Sequence, residues 1–527
     1  MSKELHPYGR RSVQRGLAAF IIGRGASGVL TLLVFALAAR LLSLGEYGHY
    51  AAALALMELG LALAGGGVDW VTARIVPEYR IHAGGRATAR MVLGLAGIQF
   101  ALLLLVALLI YTGAAPLAAL LKLDGAAALF GLTAWLVLAE GVGRLMRDQM
   151  LGVLMAQRAA QASQLLRVGS MALLLGWAWH SGMAPDAVTL LQFELAASGA
   201  AATAGVLLLA VALWRLRSLP AATPGWQAPA RDKLVKLALQ TYSSYLLSLL
   251  YGPQVLTMMV ARFMGADAVA VFGFARVFAD QVRRYLPTDL FQSIVRPTLT
   301  AYYASTQDFA GLSLRLGLLQ KAAVVVLFPL LVFFSAFGEL GMAAIGGVRY
   351  AFAWPVLVLL LCGAGTTAWR RVSELACNTV LAADIGVRAT MVLVVMPPVI
   401  ALALYLSESL LLAVGLVVLA ECVFCLRVLG GLAARGYRGA WDRRGFLRLL
   451  LGGAIAIALL LALRVAFDPG LPAALLATGV VALAALRLSL PLSAEEGALV
   501  ADWNARLARL IGAAAPLRPA RPLAGRA

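Results

Sequence analysis

Apolar runs of about 20 residues, separated by short polar segments, follow one another along the whole chain. About 20 consecutive apolar residues are enough for an α-helix to cross the hydrocarbon core of a bilayer. The pattern therefore predicts an all-α polytopic membrane protein with about fourteen transmembrane helices. We place these helices at about 17–39, 50–69, 91–113, 126–145, 165–181, 187–214, 238–261, 268–291, 316–338, 351–371, 387–406, 409–432, 446–467 and 471–490.

A charge pattern in the first part of the chain recurs 222 positions later. The matched pairs are Arg40 with Arg262, Glu58 with Asp280, and Arg74 with Arg296. Three like-charged pairs at one offset are unexpected in a chain with only 13% charged residues. They predict two six-helix bundles that both start on the same side of the membrane, which is a parallel pseudo-twofold repeat. Two extra C-terminal helices fall outside the duplication.

The polar segments divide the chain into five predicted parts. These are an N-terminal six-helix bundle (1–214), a Pro-rich, basic cytoplasmic linker (215–237), a C-terminal six-helix bundle (238–432), two additional transmembrane helices (433–490) and a cytoplasmic tail (491–527). In the tail, Ser493 and Glu496 have the spacing of a helix cap. An apolar stripe from Leu499 to Ile511 then predicts an amphipathic helix on the membrane surface, with a solvated tail as the alternative.

Composition and charge support a membrane protein rather than a nucleic-acid-binding one. The chain is 62% hydrophobic, and its formal net charge of +19 comes from short basic clusters between apolar runs. Most basic residues, including Arg144, Arg147 and Arg167, fall on one set of alternate loops. Few fall on the other set: Arg40, Lys122, Arg262, Arg349 and Arg464. The positive-inside rule then places both termini of a multi-pass membrane protein in the cytoplasm, and no cleavable signal peptide is evident.

Four charged residues lie within predicted membrane helices of the two bundles. Ionisable groups at this depth are costly and usually face a watery cavity or a partner. We interpret Arg24 and Arg276 as a clamp for a substrate diphosphate, because the planar guanidinium suits phosphate. Glu58 and Asp280 would be symmetric cavity acids that can couple an ion. The alternative is static pairing of Arg276 with Asp280 and of Arg24 with Glu58.

Three further acids within or near predicted spans, Glu140, Glu194 and Glu421, are at least as well explained by structural pairing. The seventh predicted helix is also unusual, because hydroxyls, amides and aromatic rings are concentrated in it and a Gly-Pro pair interrupts it. Such groups can hydrogen-bond and stack on sugars, although they can also simply pack helices. The candidate sugar-contacting residues are Gln240, Tyr242, Ser244, Tyr245, Ser248, Tyr251 and Gln254.

Two windows of the sequence carry a family resemblance. The stretches 39–50 (ARLLSLGEYGHY) and 72–79 (TARIVPEY), with their counterpart 260–272 (VARFMGADAVAVF), resemble Wzx-type polysaccharide flippases of the multidrug/oligosaccharidyl-lipid/polysaccharide (MOP) exporter superfamily. The resemblance implies movement of undecaprenyl-diphosphate-linked oligosaccharide from the cytoplasmic to the outer leaflet of the bacterial inner membrane. We expect this transport to proceed by alternating access of the two bundles. The product would be O-antigen, capsule or exopolysaccharide. Many relatives carry an acidic residue in the seventh helix, at a position where this chain has residues 254–257, none of which is acidic. The resemblance therefore does not imply ion coupling through that residue in this chain.

Other functions are less well supported by the residues. The chain has no phosphate-binding loop, its four histidines are scattered, and Cys422 and Cys425 lie in an apolar run, so we expect no cofactor or metal. A glycan polymerase or ligase would need larger outer loops, and a drug/cation antiporter of the same superfamily would need a cation-binding cavity. We therefore predict a transporter rather than an enzyme. Its partners would be lipid-linked oligosaccharide, membrane lipids and proteins of polysaccharide assembly, but not nucleic acid.

Overall fold

The computed structural model describes residues 10–123, 125–218, 226, 229–290, 292–439, 442–489 and 492–503, and these residues form helices without a strand. The first ten helices are α1 (Arg10–Leu41), α2 (Leu44–Leu63), α3 (Val68–His82), α4 (Gly85–Thr112), α5 (Ala114–Leu121), α6 (Ala126–Arg144), α7 (Gln157–His180), α8 (Ala187–Leu216), α9 (Arg231–Leu249) and α10 (Pro253–Arg284). A π-helix, Leu145–Leu151, continues α6.

The remaining helices are α11 (Pro287–Leu290), α12 (Gln292–Thr306), α13 (Phe309–Gly346), α14 (Trp354–Thr379), α15 (Ala383–Ser407), α16 (Leu410–Ala434), α17 (Arg443–Phe467), α18 (Leu471–Ser489) and α19 (Ala494–Trp503). The chain divides into two compact units. The first unit is Met1–Phe274 with Ala401–Leu410, and the second unit is Ala275–Ile400 with Leu411–Ala527. The boundary falls inside α10, and the predicted division at 215–237 remains a prediction.

The all-helical, polytopic class predicted from the sequence is confirmed. Among the described residues, eleven helical stretches are long and apolar enough to cross a membrane, or twelve if α2 and α3, bent by 53°, form one span. One of these stretches, Arg231–Arg284, consists of α9 and α10 and covers two of the predicted helices. The predicted span at 165–181 lies within α7. The polar and basic residues of α7 lower its mean hydropathy, so it is not one of the eleven membrane-length stretches.

The helix breaks follow the same offset as the repeated charges. Between α1 and α2 the chain breaks at Ser43, whose side chain accepts a hydrogen bond from the Glu46 N–H and caps α2. The break that lies 222 residues later is Gly265 inside α10, with φ 81° and ψ −178°. This backbone conformation is accessible essentially to glycine alone. The bend between α2 and α3 is likewise matched by the break between α10 and α11.

Close helix packing in the first unit depends on small residues. An added Cβ on Gly48 of α2 would lie 1.9 Å from the backbone oxygen of Ala266 in α10, and one on Gly85 would lie 1.6 Å from that of Leu216. On outer helix faces, in contrast, large apolar side chains such as Leu108 and Trp214 are exposed. That distribution fits a protein whose outer surface is solvated by lipid tails.

In the second unit, a buried lysine ties the last helices to α13. The Lys321 Nζ contacts Asp442 Oδ2, just before α17, at 2.6 Å and Glu496 Oε2, on α19, at 2.5 Å. The predicted cap at the start of α19 is present. The Ser493 N–H donates to Glu496, and the Glu496 N–H donates to Ser493 Oγ. Most of the apolar stripe predicted after Leu499 lies outside the described residues.

Candidate binding cavity in the first unit

A cavity of about 220 Å³ lies among α2, α3, α4, α6 and α9 in the first unit. Ligand pockets for drug-sized molecules are usually about 300–1,000 Å³, so this cavity suits one part of a larger ligand. An adjoining open hollow is lined by Trp70, Gln240, Thr241 and Tyr245. The polar and aromatic residues that line the cavity are Glu58, Asp69, Trp70, Gln99, Arg144, Gln149, Tyr242, Tyr245 and Gln254.

The bend after α2 creates one wall of the cavity. The last carbonyl groups of a helix lack partners within the helix. Here Gln99 Nε2 donates to the Ala64 oxygen at 2.6 Å, and the Tyr242 hydroxyl donates to the Leu63 oxygen. Gly67, with φ 73°, allows the backbone of α9 to come near, because an added Cβ would lie 2.3 Å from the Ala238 oxygen. Side chains from α4 and α9 thus provide hydrogen-bond donors for the carbonyl groups at the bend.

The charged part of the wall is a bidentate ion pair between α2 and α6. Arg144 Nη1 and Nη2 donate to the two carboxylate oxygens of Glu58 at 2.9 and 2.5 Å. Arg144 Nε donates to Oε1 of Glu140, one helical turn earlier, at 2.8 Å. The guanidinium therefore joins a carboxylate at the cavity surface to one inside the helix bundle.

Behind this pair, a buried network continues across α6, α7 and α8. Arg167 contacts Glu140 at 3.5 Å and Glu194 at 3.1 Å, and the Tyr50 hydroxyl donates to Glu194 at 3.1 Å. The π-helix places Arg147 3.7 Å from Glu140 as well. Charges removed from water are stable only when they are paired and hydrogen-bonded, which explains why these residues occur together.

Several of the predicted sugar-contacting residues reach the cavity. Tyr242, Tyr245 and Gln254 line it, and Gln240 lines the adjoining hollow. The Ser248 hydroxyl instead donates to the backbone oxygen of Tyr245.

For the remaining two predicted residues of this helix, the described residues give no contact with the cavity. Tyr251 lies in the break between α9 and α10, where the sequence places a Gly-Pro pair. The side chain of Ser244 lies outside the described residues. These assignments stay predictions, although the helix break itself is present.

The four predicted intramembrane charges fall into two groups. Glu58 lines the cavity, whereas Arg24, half-buried on α1, is not among the lining residues. Arg276 and Asp280 belong to the second unit, where Arg276 Nε lies 3.4 Å from Asp280 Oδ2 and Arg283 lies 3.1 Å from Oδ1. The roles proposed for these residues from the sequence remain predictions.

Three residues of the cavity wall and the buried network were not predicted from the sequence: Arg144, Arg147 and Arg167. They were counted as loop charges, but the helix containing Glu140 continues as a π-helix and α7 begins at Gln157, so all three lie within the bundle. The four-residue spacing of Glu140 and Arg144, which puts both on one helix face, was a usable signal.

Other acids singled out in the sequence are paired too. Glu421 on α16 accepts hydrogen bonds from Thr366 and Thr367 of α14 at 2.6 to 2.9 Å and lies 3.8 Å from Arg370. Within the part of the chain that the structure describes, no group of three or more His, Cys, Asp or Glu residues could hold a metal ion. Cys362, Cys377, Cys422 and Cys425 are free thiols.

Many membrane-length helices, two compact units and a polar cavity in the first unit define an all-helical fold of the polytopic membrane class. The structure is similar over 93% of this chain to an inward-closed lipid II flippase MurJ, of which it covers 99%, with a TM-score of 0.65 and 12% identity. It is also similar to an inward-facing multidrug resistance MATE transporter of the MOP superfamily (TM-score 0.51, 14% identity), over 83% of this chain and 98% of that one. No family model and no curated protein sequence matches this chain. The fold is therefore that of MurJ and MATE transporters.

Proposed function

We propose that this protein is a secondary transporter that flips polyprenyl-diphosphate-linked oligosaccharide from the cytoplasmic to the outer leaflet of the bacterial inner membrane. It would act by alternating access in the synthesis of O-antigen, capsule or exopolysaccharide. The observation that carries the proposal is the lining of the cavity in the first unit, where aromatic rings, amides and charged groups lie together on a fold shared with a lipid II flippase.

The cavity offers the two kinds of contact that a glycan needs. Trp70, Tyr242 and Tyr245 provide flat apolar faces on which sugar rings can stack. Gln99 and Gln149 each have a buried side-chain oxygen without a hydrogen-bond partner among the described residues. A sugar hydroxyl can donate to such an oxygen, which otherwise bears the cost of desolvation.

The other parts of the substrate would lie elsewhere. The polyprenyl tail stays in the bilayer, and the diphosphate is assigned to Arg24 and Arg276, with Glu58 and Asp280 as acids that can couple an ion. Both termini are proposed to be cytoplasmic, because the basic residues outside the buried network still favour one set of loops. Proteins of polysaccharide assembly are proposed as further partners.

A drug/cation antiporter is the second candidate, and one observation favours it. Glu58 and Asp69 face the cavity with the aromatic residues, while Arg144 is the cation among its lining residues. An acidic, aromatic-lined cavity attracts organic cations. The similarity to a MATE transporter structure is compatible with this alternative.

Lipid-linked sugar analysis in a deletion strain separates the candidates. A flippase requires that loss of the protein stops polymer export while lipid-linked repeat units accumulate on the cytoplasmic side. Loss of polymer without accumulation would indicate a polymerase or ligase. Unchanged polymer with increased sensitivity to cationic drugs would indicate the antiporter. Export at the normal rate by Arg24→Ala and Arg276→Ala variants would contradict the diphosphate clamp.

A further inference from the structure

Arg144 holds its guanidinium between a buried and an accessible glutamate. Its Nε donates to Glu140, which is 1% exposed. Its Nη1 and Nη2 donate to Glu58, and the side chains of Arg144 and Glu58 are 34% and 31% exposed. One edge of the guanidinium is thus fixed inside the bundle, while the end with two parallel donors is turned toward the cavity.

The buried anchor does not depend on Glu58. Glu140 is also contacted by Arg167 at 3.5 Å and Arg147 at 3.7 Å, and it accepts a hydrogen bond from Ser198 at 3.2 Å. If Glu58 turned away, Arg144 would keep its position through Glu140 and would present two unused donors to the cavity. Two parallel N–H donors bind a phosphate as well as a carboxylate.

We infer that Arg144 is an anion-binding residue of the cavity and that Glu58 is its built-in competitor. A phosphate or diphosphate group takes the Nη1 and Nη2 donors when it displaces Glu58. This inference rests on the proposed function for its cargo, and it adds Arg144 to Arg24 and Arg276 as a further anion-binding arginine, so that a phosphate group can also enter the cavity. The inference also gives Glu58 a defined role. Its carboxylate neutralises Arg144 until the anionic group of the substrate displaces it.

The competitor is the negative charge of Glu58, so a neutral side chain at this position should leave the Arg144 donors available to an anion. An entering anion is also repelled by Asp69 in the same cavity. The titratable and charged groups that lie with Glu58 come from three helices: Asp69 on α3, Arg144 with its partner Glu140 on α6, and Tyr245 on α9. The residue that α4 presents, Gln99, is neutral.

Binding measurements on the full-length protein in nanodiscs test the inference. Inorganic pyrophosphate and farnesyl diphosphate are titrated separately at about pH 5.5 and about pH 8, on either side of the range in which phosphate itself titrates. We expect Glu58→Gln to bind at least one probe roughly tenfold more tightly than the wild type at the higher pH, a typical size for coupling between two sites. Its remaining pH dependence should be that of the probe alone.

Arginine variants and a matched control complete the experiment. Arg144→Ala should abolish the tighter binding in the Glu58→Gln background, and Arg144→Lys, which keeps the charge but not the fork, should weaken it. The control is Glu339→Gln, because Glu339 pairs with Arg464 at 2.5 Å in the second unit. It should leave binding unchanged. Thermal unfolding of each variant shows whether it is folded.

Each outcome decides the matter. Tighter binding of both probes means that the phosphate group is sufficient, and tighter binding of farnesyl diphosphate alone means that the lipid-linked group is required; both support the inference. If Glu58→Gln binds no more tightly than the wild type, or if its tighter binding persists when Arg144→Ala is added, the pair is a static ion bridge and the inference is wrong. If binding behaves as expected but the deletion strain accumulates no precursor, Arg144 remains an anion receptor and the flippase assignment fails.

Discussion

Individual residues show how far a sequence can locate a site in a membrane protein. Glu58 is predicted as a site residue because a charge is costly in a bilayer, and Tyr242, Tyr245 and Gln254 because aromatic rings and amides can contact sugars; all four line the cavity. Arg144 was not selected, because a basic residue at the end of an apolar run has the pattern of a topology signal. Its pairing with Glu58, 86 residues away in the chain, depends on tertiary packing that no local pattern contains.

Tyr245 tests the proposed contact with sugars. It lines both the cavity and the adjoining hollow and is 42% exposed. Tyr245→Ala should lower the rate of flipping in vesicles roughly two- to tenfold, since an aromatic contact contributes about 0.5–1.5 kcal/mol. Tyr245→Phe keeps the ring and should retain most of the rate. Equal losses in the two variants would mean that the hydroxyl, rather than stacking, is what matters.

Glu140 tests the buried network independently of transport. It is 1% exposed and neutralises parts of Arg144, Arg147 and Arg167, so Glu140→Gln leaves buried positive charge without its partner. We expect a loss of about 3–5 kcal/mol in the free energy of unfolding. The control is Glu78→Gln, since Glu78 pairs with Arg74, which is 68% exposed, and should cost less than about 1 kcal/mol. Denaturant unfolding in detergent measures both, and similar losses would argue against a structural role of the network.

Secondary-structure elements were predictable where hydrophobicity alone decides them. Long apolar runs marked the membrane helices, and the Gly-Pro pair marked the break between α9 and α10. Short elements were not predicted: α5, α11 and the π-helix after α6 have 8, 4 and 7 residues, which is too short for a hydrophobic period to identify them. The break in α10 was predicted as a gap, because the predicted helices 238–261 and 268–291 leave Gly265 between them, although the structure joins both sides into one helical stretch.

Gly265 tests whether that break needs glycine. Its φ of 81° and ψ of −178° are strained for any other residue, although no atom lies within 4 Å of an added Cβ. Gly265→Ala should therefore destabilise the protein by about 1–3 kcal/mol through the backbone alone. Gly94→Ala, in the regular helix α4 and also without a neighbour within 4 Å, should be neutral or stabilising by up to about 1 kcal/mol. If Gly265→Ala, like Gly94→Ala, leaves the melting temperature unchanged or raises it, then position 265 does not need glycine and α10 can straighten.

The cluster that ties α17 and α19 to α13 predicts a pH effect. Burial alone would raise the pKa of Asp442, but hydrogen bonds from Lys321 and from the Gly445 N–H hold that pKa below its ordinary value. A carboxyl with a lowered folded-state pKa stabilises the protein fully above its unfolded pKa of about 3.9, and this stability is lost as the pH falls below that value.

Asp442→Asn keeps the helix cap but removes the charge, so its melting temperature should fall less steeply with acid than that of the wild type. Asp468→Asn changes the acid at the other end of α17 and is the control, which should follow the wild type. Thermal unfolding in detergent between about pH 3 and about pH 6 measures the difference. Parallel curves for wild type and Asp442→Asn would contradict the contribution of this ion pair.

For the whole molecule, the fold class predicted from the sequence is confirmed, whereas the cargo stays a prediction. Length, apolar runs and the 222-residue offset are properties of the entire chain, and the all-helical fold and the positions of the helix breaks agree with them. The cargo depends on a few side chains brought together by packing, and folds of one kind carry different cargoes. Electrical measurements can narrow the choice, because a transported charge responds to the membrane potential whatever its chemical identity.

Flipping of a diphosphate-linked substrate should depend on the membrane potential. Each transported charge contributes about 2.3 kcal/mol per 100 mV, so two negative charges that move outward gain about 4.6 kcal/mol from a potential that is negative inside. If Glu58 carries a proton outward with the substrate, the net charge is one and the gain is halved. Vesicles with an imposed potassium diffusion potential measure the distribution of a lipid-linked substrate between the leaflets.

Glu58→Gln distinguishes transport of two net charges from transport of one net charge with a proton on Glu58. Glutamine is permanently neutral and carries no proton. The variant should respond with the slope of two charges, whether the wild type responds with a slope of one or of two. A slope of one in the wild type and two in the variant would make Glu58 the coupling residue. Equal slopes of two would mean that the potential drives the anion alone. A distribution that ignores the potential in both proteins would contradict an anionic cargo, and it would favour exchange of a cationic substrate for an external cation in the acidic cavity.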